Sequence, residues 1–160
     1  MYTDFFVPPS KPLLLDKRFC EAHPALGMRP TAGSGSVFGD GDGRPKAIDY
    51  TKLQFAMEGK CRSKRPKHLR PTPKEWIKAL DQLKRRNRSA IRLFVVYHHA
   101  QGTYAVSLPQ DDLVQLKSYG IDVSGGEEQD FARANAEFEF SVFSYYKWKA
   151  LYEEICDLQG

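Results

Sequence analysis

The 160 residues hold only three cysteines, Cys20, Cys61 and Cys156, far apart and with no CxxC pair or Cys/His ligand spacing. A disulfide framework and a structural zinc site are therefore not what organises this chain. No apolar run reaches the roughly 18 residues needed to cross a bilayer, and the N-terminus lacks the charged-then-apolar layout of a signal peptide. No membrane partner is expected, and the expected location is cytoplasmic, or otherwise intracellular with a phage or virus as the source. Internal repeats are absent. Histidines are few, and His98 and His99 are adjacent; strand neighbours point to opposite faces, so the pair reads as surface or satisfied side chains rather than a shared metal site.

What is present is enough for one domain with a real core: 41% of the residues are hydrophobic. The formal net charge of +4 is modest, but its distribution is lopsided. From Lys60 to Arg92, 13 Lys/Arg stand against two acids, a local net of +11, whereas Gln110 to Gly160 has 4 Lys/Arg against 11 acids, a local net of −7. Such asymmetry points to a basic face for a polyanion and a separate acidic region; a merely solvated charged surface is the alternative.

Along the chain, MYTDFFVPPSKP is too proline-rich for a packed element and reads as an extended arm. Residues Leu13 to Leu26 have the character of a short amphipathic helix that Pro24 bends or ends, with Gly27 as a further stop. The glycine-laden stretch RPTAGSGSVFGDGDGRP reads as a loop, because freezing so much backbone freedom in a regular element is costly. KAIDY and KLQFAMEGKCR then read as two short strands of a hairpin. After the basic linker CRSKRPKHLRPTP, Thr72, Pro73 and Glu75 form a capping box for a helix from Pro73 to about Arg88. Trp76, Ile77, Leu80 and Leu83 recur at helical spacing, which assigns Trp76 to the core rather than to base stacking. IRLFVVY is, apart from Arg92, an apolar and β-branched run, expected to be buried on both sides at the sheet centre. A turn at HAQGT leads into the strand TYAVSL, and PQDDLVQLKSYG is a helix with Pro109 in its first turn and Gly120 past its end. DVSGGEEQD reads as a polar loop; the remaining chain is expected to begin extended and finish helical, covering the sheet or supplying an interface.

Chemistry concentrates in the hairpin. Glu58 and Lys60 are two positions apart, so both lie on one face of their strand, and pairing can bring Asp49 across to them. Two carboxylates can hold a hard divalent cation that polarises a phosphoryl group and generates hydroxide near neutral pH. An adjacent ammonium can orient or deprotonate the attacking water and offset charge on phosphorus. Asp40 and Asp42 are rival carboxylates, but Gly-flanked positions are less preorganised than a strand position facing Glu58.

With helix, Gly/Ser loop, Asp49, Glu58-Gly59-Lys60, basic linker, amphipathic helix and apolar strand in that order, the chain resembles the PD-(D/E)xK nuclease superfamily. More narrowly it resembles phage and archaeal Holliday-junction-resolvase-like endonucleases over roughly Leu13 to Leu108. The resemblance implies an α/β fold with a restriction-endonuclease-like core, a central mixed β-sheet flanked by helices. It divides the single domain into an arm (1–12), a nuclease core (13–119) and a C-terminal extension (120–160). It further implies metal ligation by Asp49, Glu58, the Gly59 carbonyl and Glu21, with Mg²⁺ as cofactor, Mn²⁺ able to substitute, and no small-molecule cofactor. Catalysis would fall to Lys60, Glu58, Asp49 and Ser36. DNA contacts would come from Arg29 and Ser34 and from the basic block Arg62, Lys64, Arg65, Lys67 and Arg70. Branched DNA, a four-way junction, and a homodimer with two active sites are the implied substrate and assembly. Ile48 stands where the superfamily name has proline, a substitution the superfamily tolerates. A restriction, nicking or repair nuclease, an RNA endonuclease, and a non-catalytic basic nucleic-acid-binding module are the alternatives.

Overall fold

The computed structural model describes residues 12–30, 43–45, 53–62, 69–84, 90–98, 103–130 and 139–159. They form α1 (Pro12–Ala22), a 3₁₀ turn (Pro24–Leu26), β1 (Met28–Pro30), β2 (Gly43–Pro45), β3 (Phe55–Arg62), α2 (Pro73–Lys84), β4 (Ile91–His98), β5 (Thr103–Pro109), α3 (Gln110–Ser118), β6 (Glu127–Asp130), β7 (Glu139–Phe143) and α4 (Tyr145–Gln159). The seven strands make one mixed sheet in the order β1-β2-β3-β4-β5-β7-β6. Only β3 and β4 run parallel; the other neighbours are antiparallel. The parallel pair needs a crossover, which α2 provides.

β4 sits fourth of seven, and its alternate residues serve two different cores. Ile91, Leu93, Val95 and Tyr97 face one side with Phe55 and Met57 of β3; Leu15 and Phe19 of α1 and Trp148, Leu151 and Ile155 of α4 close that side. Phe94 and Val96 face the other with Ala56, against Trp76, Ala79 and Leu83 of α2. A strand buried on both faces is expected to be nearly all apolar, and the exception in IRLFVVY is half-buried Arg92, whose guanidinium donates to Asp112. Trp76 is fully buried, as its helical spacing predicts.

Helix boundaries follow local chemistry. Thr72 Oγ1 accepts from Glu75 N at 3.2 Å while Glu75 Oε1 accepts from Thr72 N at 2.9 Å, so the capping box forms reciprocally. α1 stops before Pro24, and Gly27 adopts φ 63° to let its amide reach the Pro24 carbonyl at 3.0 Å.

Two stretches expected as loops are partly strand. The ends of the glycine-rich segment pair as β1 and β2, with Arg29 opposite Arg44, and Glu127–Asp130 of the polar DVSGGEEQD segment adds the edge strand β6. Of the expected hairpin, KLQFAMEGKCR contains β3, while KAIDY lies outside the described residues; the described strand beside β3 on this side is Gly43–Pro45, with Gly43 opposite Met57. Beyond β5, the chain does not form a separate layer: β6, β7 and α4 belong to the same sheet and core.

Candidate functional site

β3 changes character midway. Phe55, Ala56 and Met57 are buried, Glu58, Gly59, Cys61 and Arg62 are half-buried, and Lys60 is exposed. Strand alternation assigns Glu58, Lys60 and Arg62 to the side of Ala56, the side covered by α2, and Gly59 to the side of Phe55, Met57 and Cys61. On β4 their parallel neighbours are Phe94, Val96 and His98. Glu58 and Lys60 thus share a face, as the spacing predicts, at the place where β3 emerges from the core. Asp49, Ser34 and Ser36 lie outside the described residues, as do Lys64, Arg65 and Lys67.

Gly59 is where the other helix layer approaches. A Cβ built there would collide with Asp16 Oδ1 and crowd the Tyr97 ring, so a side chain at 59 and the carboxylate of 16 compete for one volume. Asp16 is buried, and its Oδ1 accepts from the Tyr97 hydroxyl at 2.8 Å. The α1 acid that meets β3 is therefore Asp16. Glu21, the residue the resemblance implies, is exposed and sits 3.9 Å from Lys17, one turn earlier on the helix. Sequence carried a signal for this: Asp16 shares the helical stripe of Leu15, Phe19 and Cys20, and Glu21 does not.

Arg62 also differs from its expected role. Its Nη1 and Nη2 donate to Glu75 Oε2 and Oε1 at 2.7 and 2.6 Å, and Nη2 donates to the Arg70 carbonyl at 3.0 Å. Burial pushes the Glu75 carboxyl up, but the Arg62 guanidinium and the Thr72 amide and hydroxyl outweigh it and hold the carboxyl at about 2. Hydrogen bonding to Glu75 raises Arg62 further above its usual value, against the opposing effect of burial. This guanidinium is a tie between β3 and α2 rather than a contact held out for phosphate. Arg70 and Arg29 are both exposed.

Sequence reasoning also passed over His23. Its Nδ1 donates to the Phe19 carbonyl at 2.8 Å, and its Nε2 accepts from Trp148 Nε1 at 2.9 Å with the Tyr104 hydroxyl at 3.1 Å. Those partners define the neutral ring with the proton on Nδ1. Phe19, Tyr152, Trp148 and Tyr104 surround it, with ring centroids 4.2 to 6.0 Å away. The cluster ties α1 to α4 on the side of the sheet opposite α2.

Among the described residues no three His, Cys, Asp or Glu side chains converge to hold a metal ion. Glu58 is among the described acids, whereas Asp40, Asp42 and Asp49 lie outside the described residues. No protein-family model matches this chain, and no curated protein or solved structure matches it either.

Proposed function

We propose that this chain is a Mg²⁺-dependent endonuclease hydrolysing phosphodiester bonds in DNA, with branched DNA such as a four-way junction as substrate. The observation that carries the reading is the placement of Glu58 and Lys60 on one face of β3, accessible to solvent, immediately after its buried half. Support also comes from the order α1, β1, β2, β3, α2, β4 around a mixed sheet, which agrees with the order the resemblance implies for a restriction-endonuclease-like core.

In this reading Glu58 and an aspartate from the segment before β3, Asp49 in the sequence assignment, hold the ion. When bound, the ion would supply Lewis-acid polarisation of the phosphoryl group. Lys60 orients the attacking water and offsets charge developing on phosphorus. Ser34, Ser36 and Arg29 contact phosphates near the cut, Lys64, Arg65, Lys67 and Arg70 hold the flanking backbone, and a homodimer brings two sites to the two strands of a junction.

The test is incubation of purified protein with a labelled four-way junction and a matched linear duplex, in Mg²⁺ or EDTA, beside Glu58→Gln and Lys60→Ala. The expected result is junction cleavage lost in EDTA and in both variants. Hydrolysis that persists through all three, or DNA binding with no cleavage by the wild type in any divalent ion, overturns the reading; the second outcome is that of a non-catalytic binding module. An RNA competitor that abolishes DNA cleavage at equal concentration overturns the choice of DNA.

A further inference from the structure

We propose that the outer face of α2, with Lys74 and Lys78 at its centre, is a track for the phosphate backbone of double-stranded DNA, continuous with Lys60 at the end of β3; the choice of DNA as partner rests on the function proposed above. Lys60, Lys74 and Lys78 are all exposed. Lys74 and Lys78 are four residues apart, so they stand on one helix face separated by a rise of about 6 Å. Buried Trp76, Ala79 and Leu83 fix which way that face points: the apolar stripe lies on the sheet and the lysines look outward.

Three features make this face different from an ordinary solvated helix surface. The first is that its one nearby carboxylate in the first turn, Glu75, is engaged by Arg62 and does not neutralise the lysines. The second is Ile77, an apolar side chain 46% exposed on the flank of that face, beside Lys74. The third is continuity with the candidate site. Arg62 belongs to the same face of β3 as Glu58 and Lys60, and its bonds to Glu75 and to the Arg70 carbonyl place the first turn of α2 beside the end of that strand. A duplex lying along α2 would therefore pass the Glu58–Lys60 face. Exposed Asp81 lies one turn past Lys78 and three residues before Lys84, the last residue of the helix. By contrast, exposed acids such as Asp122, Glu153 and Asp157 belong to the part of the chain beyond β5. Backbone contacts of this kind hold a duplex in register without reading its sequence.

The measurement is fluorescence anisotropy of a labelled linear duplex and a labelled four-way junction, in EDTA, at several salt concentrations. Full-length Glu58→Gln protein serves as the parent so that no DNA is cut. Each phosphate contact contributes about 0.9 to the slope of log affinity against log salt. Adding Lys74→Ala and Lys78→Ala should lower that slope by about 2 and weaken binding of both DNAs by about tenfold at moderate salt. Adding Lys117→Ala and Lys147→Ala instead, on α3 and α4 across the sheet, should change neither. All four lysines are exposed, and circular dichroism with thermal melting confirms that the variants fold alike. An unchanged slope with Lys74 and Lys78 removed overturns the track, as does an equal loss in the α3/α4 variant. If junction cleavage persists while the slope is unchanged, the track alone fails; if the wild type binds no DNA at any salt, both proposals fail.

Discussion

Arg62, the last residue of β3, grips Glu75 in the first turn of α2 through two hydrogen bonds of 2.7 and 2.6 Å, and Glu75 in turn closes the capping box with Thr72. One carboxylate thus ends a linker, starts a helix and fixes where that helix begins relative to the strand that carries Glu58 and Lys60. Because the folded carboxyl is held at about 2, below the usual glutamate value of about 4.3, the folded state keeps its negative charge at pH values where the unfolded chain takes up a proton. Its contribution is fully present above about pH 5 and is lost as pH falls towards 2. Glu75→Gln retains the shape of the capping box and removes the charge, so it should cost about 1 kcal/mol at neutral pH. Urea midpoints of wild type and variant, compared at pH 7, 4 and 3, should converge as the acid range is entered; a gap that stays constant with pH would contradict this account.

A second relationship is steric. Asp16 occupies the volume that any side chain at position 59 would need, and it accepts the Tyr97 hydroxyl at 2.8 Å. Gly59→Ala should destabilise strongly, because the new methyl meets a buried carboxylate backed by packed rings, not a flexible tail. Tyr97→Phe removes one donor to a buried carboxyl group and should cost about 1–3 kcal/mol. A double-mutant cycle with Gly59→Ala and Asp16→Ala, read by urea denaturation, should show the pair losing less than the two single losses combined. Strict additivity would mean that the two positions do not compete for space.

The buried imidazole of His23 offers a third test. Replacing it with phenylalanine keeps the aromatic packing but leaves the Trp148 indole N–H, at present 2.9 Å from Nε2, without its acceptor. The expected cost is about 1–3 kcal/mol. Trp148→Phe in the His23→Phe background should add less than it does in wild type, since the orphaned donor is then gone. Equal effects in the two backgrounds would remove His23 as the acceptor that matters.

What could be read from the sequence was decided by chemistry local to each segment. The run from Ile91 to Tyr97 is apolar at every position but Arg92, so its central position follows from composition. Thr72 and Glu75 announce a helix start because the two side chains satisfy each other's backbone amides within one turn. β1, β2 and β6 were not legible, since glycine, proline and acidic residues have little preference for strand and are held there by a neighbouring strand that local pattern does not show. The same limit governed the site. Lys60 and Glu58 share a face because strand period settles it, but whether Arg62 reaches phosphate or Glu75 depends on where α2 lands, and nothing in CRSKRP encodes that. Glu21 and Asp16 differ only in which side of α1 they occupy, and there the apolar stripe of Leu15, Phe19 and Cys20 did carry the answer.

The last prediction concerns which aspartate partners Glu58. Gly43 of β2 stands opposite Met57 of β3 in an antiparallel pair. Glu58 is the residue after Met57, and Asp42 is the residue before Gly43 in the sequence. Asp49 is separated from β2 by the residues after Pro45, on the way to Leu53. If the endonuclease reading holds, Asp42→Asn should therefore lower Mg²⁺-dependent junction cleavage at least as much as Asp49→Asn. Isothermal titration with Mn²⁺ on the uncut protein gives a readout independent of turnover: the aspartate that ligates the ion is the one whose substitution abolishes binding heat together with Glu58→Gln. Loss confined to Asp49→Asn would show that the register of Gly43 and Met57 does not guide the metal site, and would restore the pairing expected from the strand pattern of KAIDY.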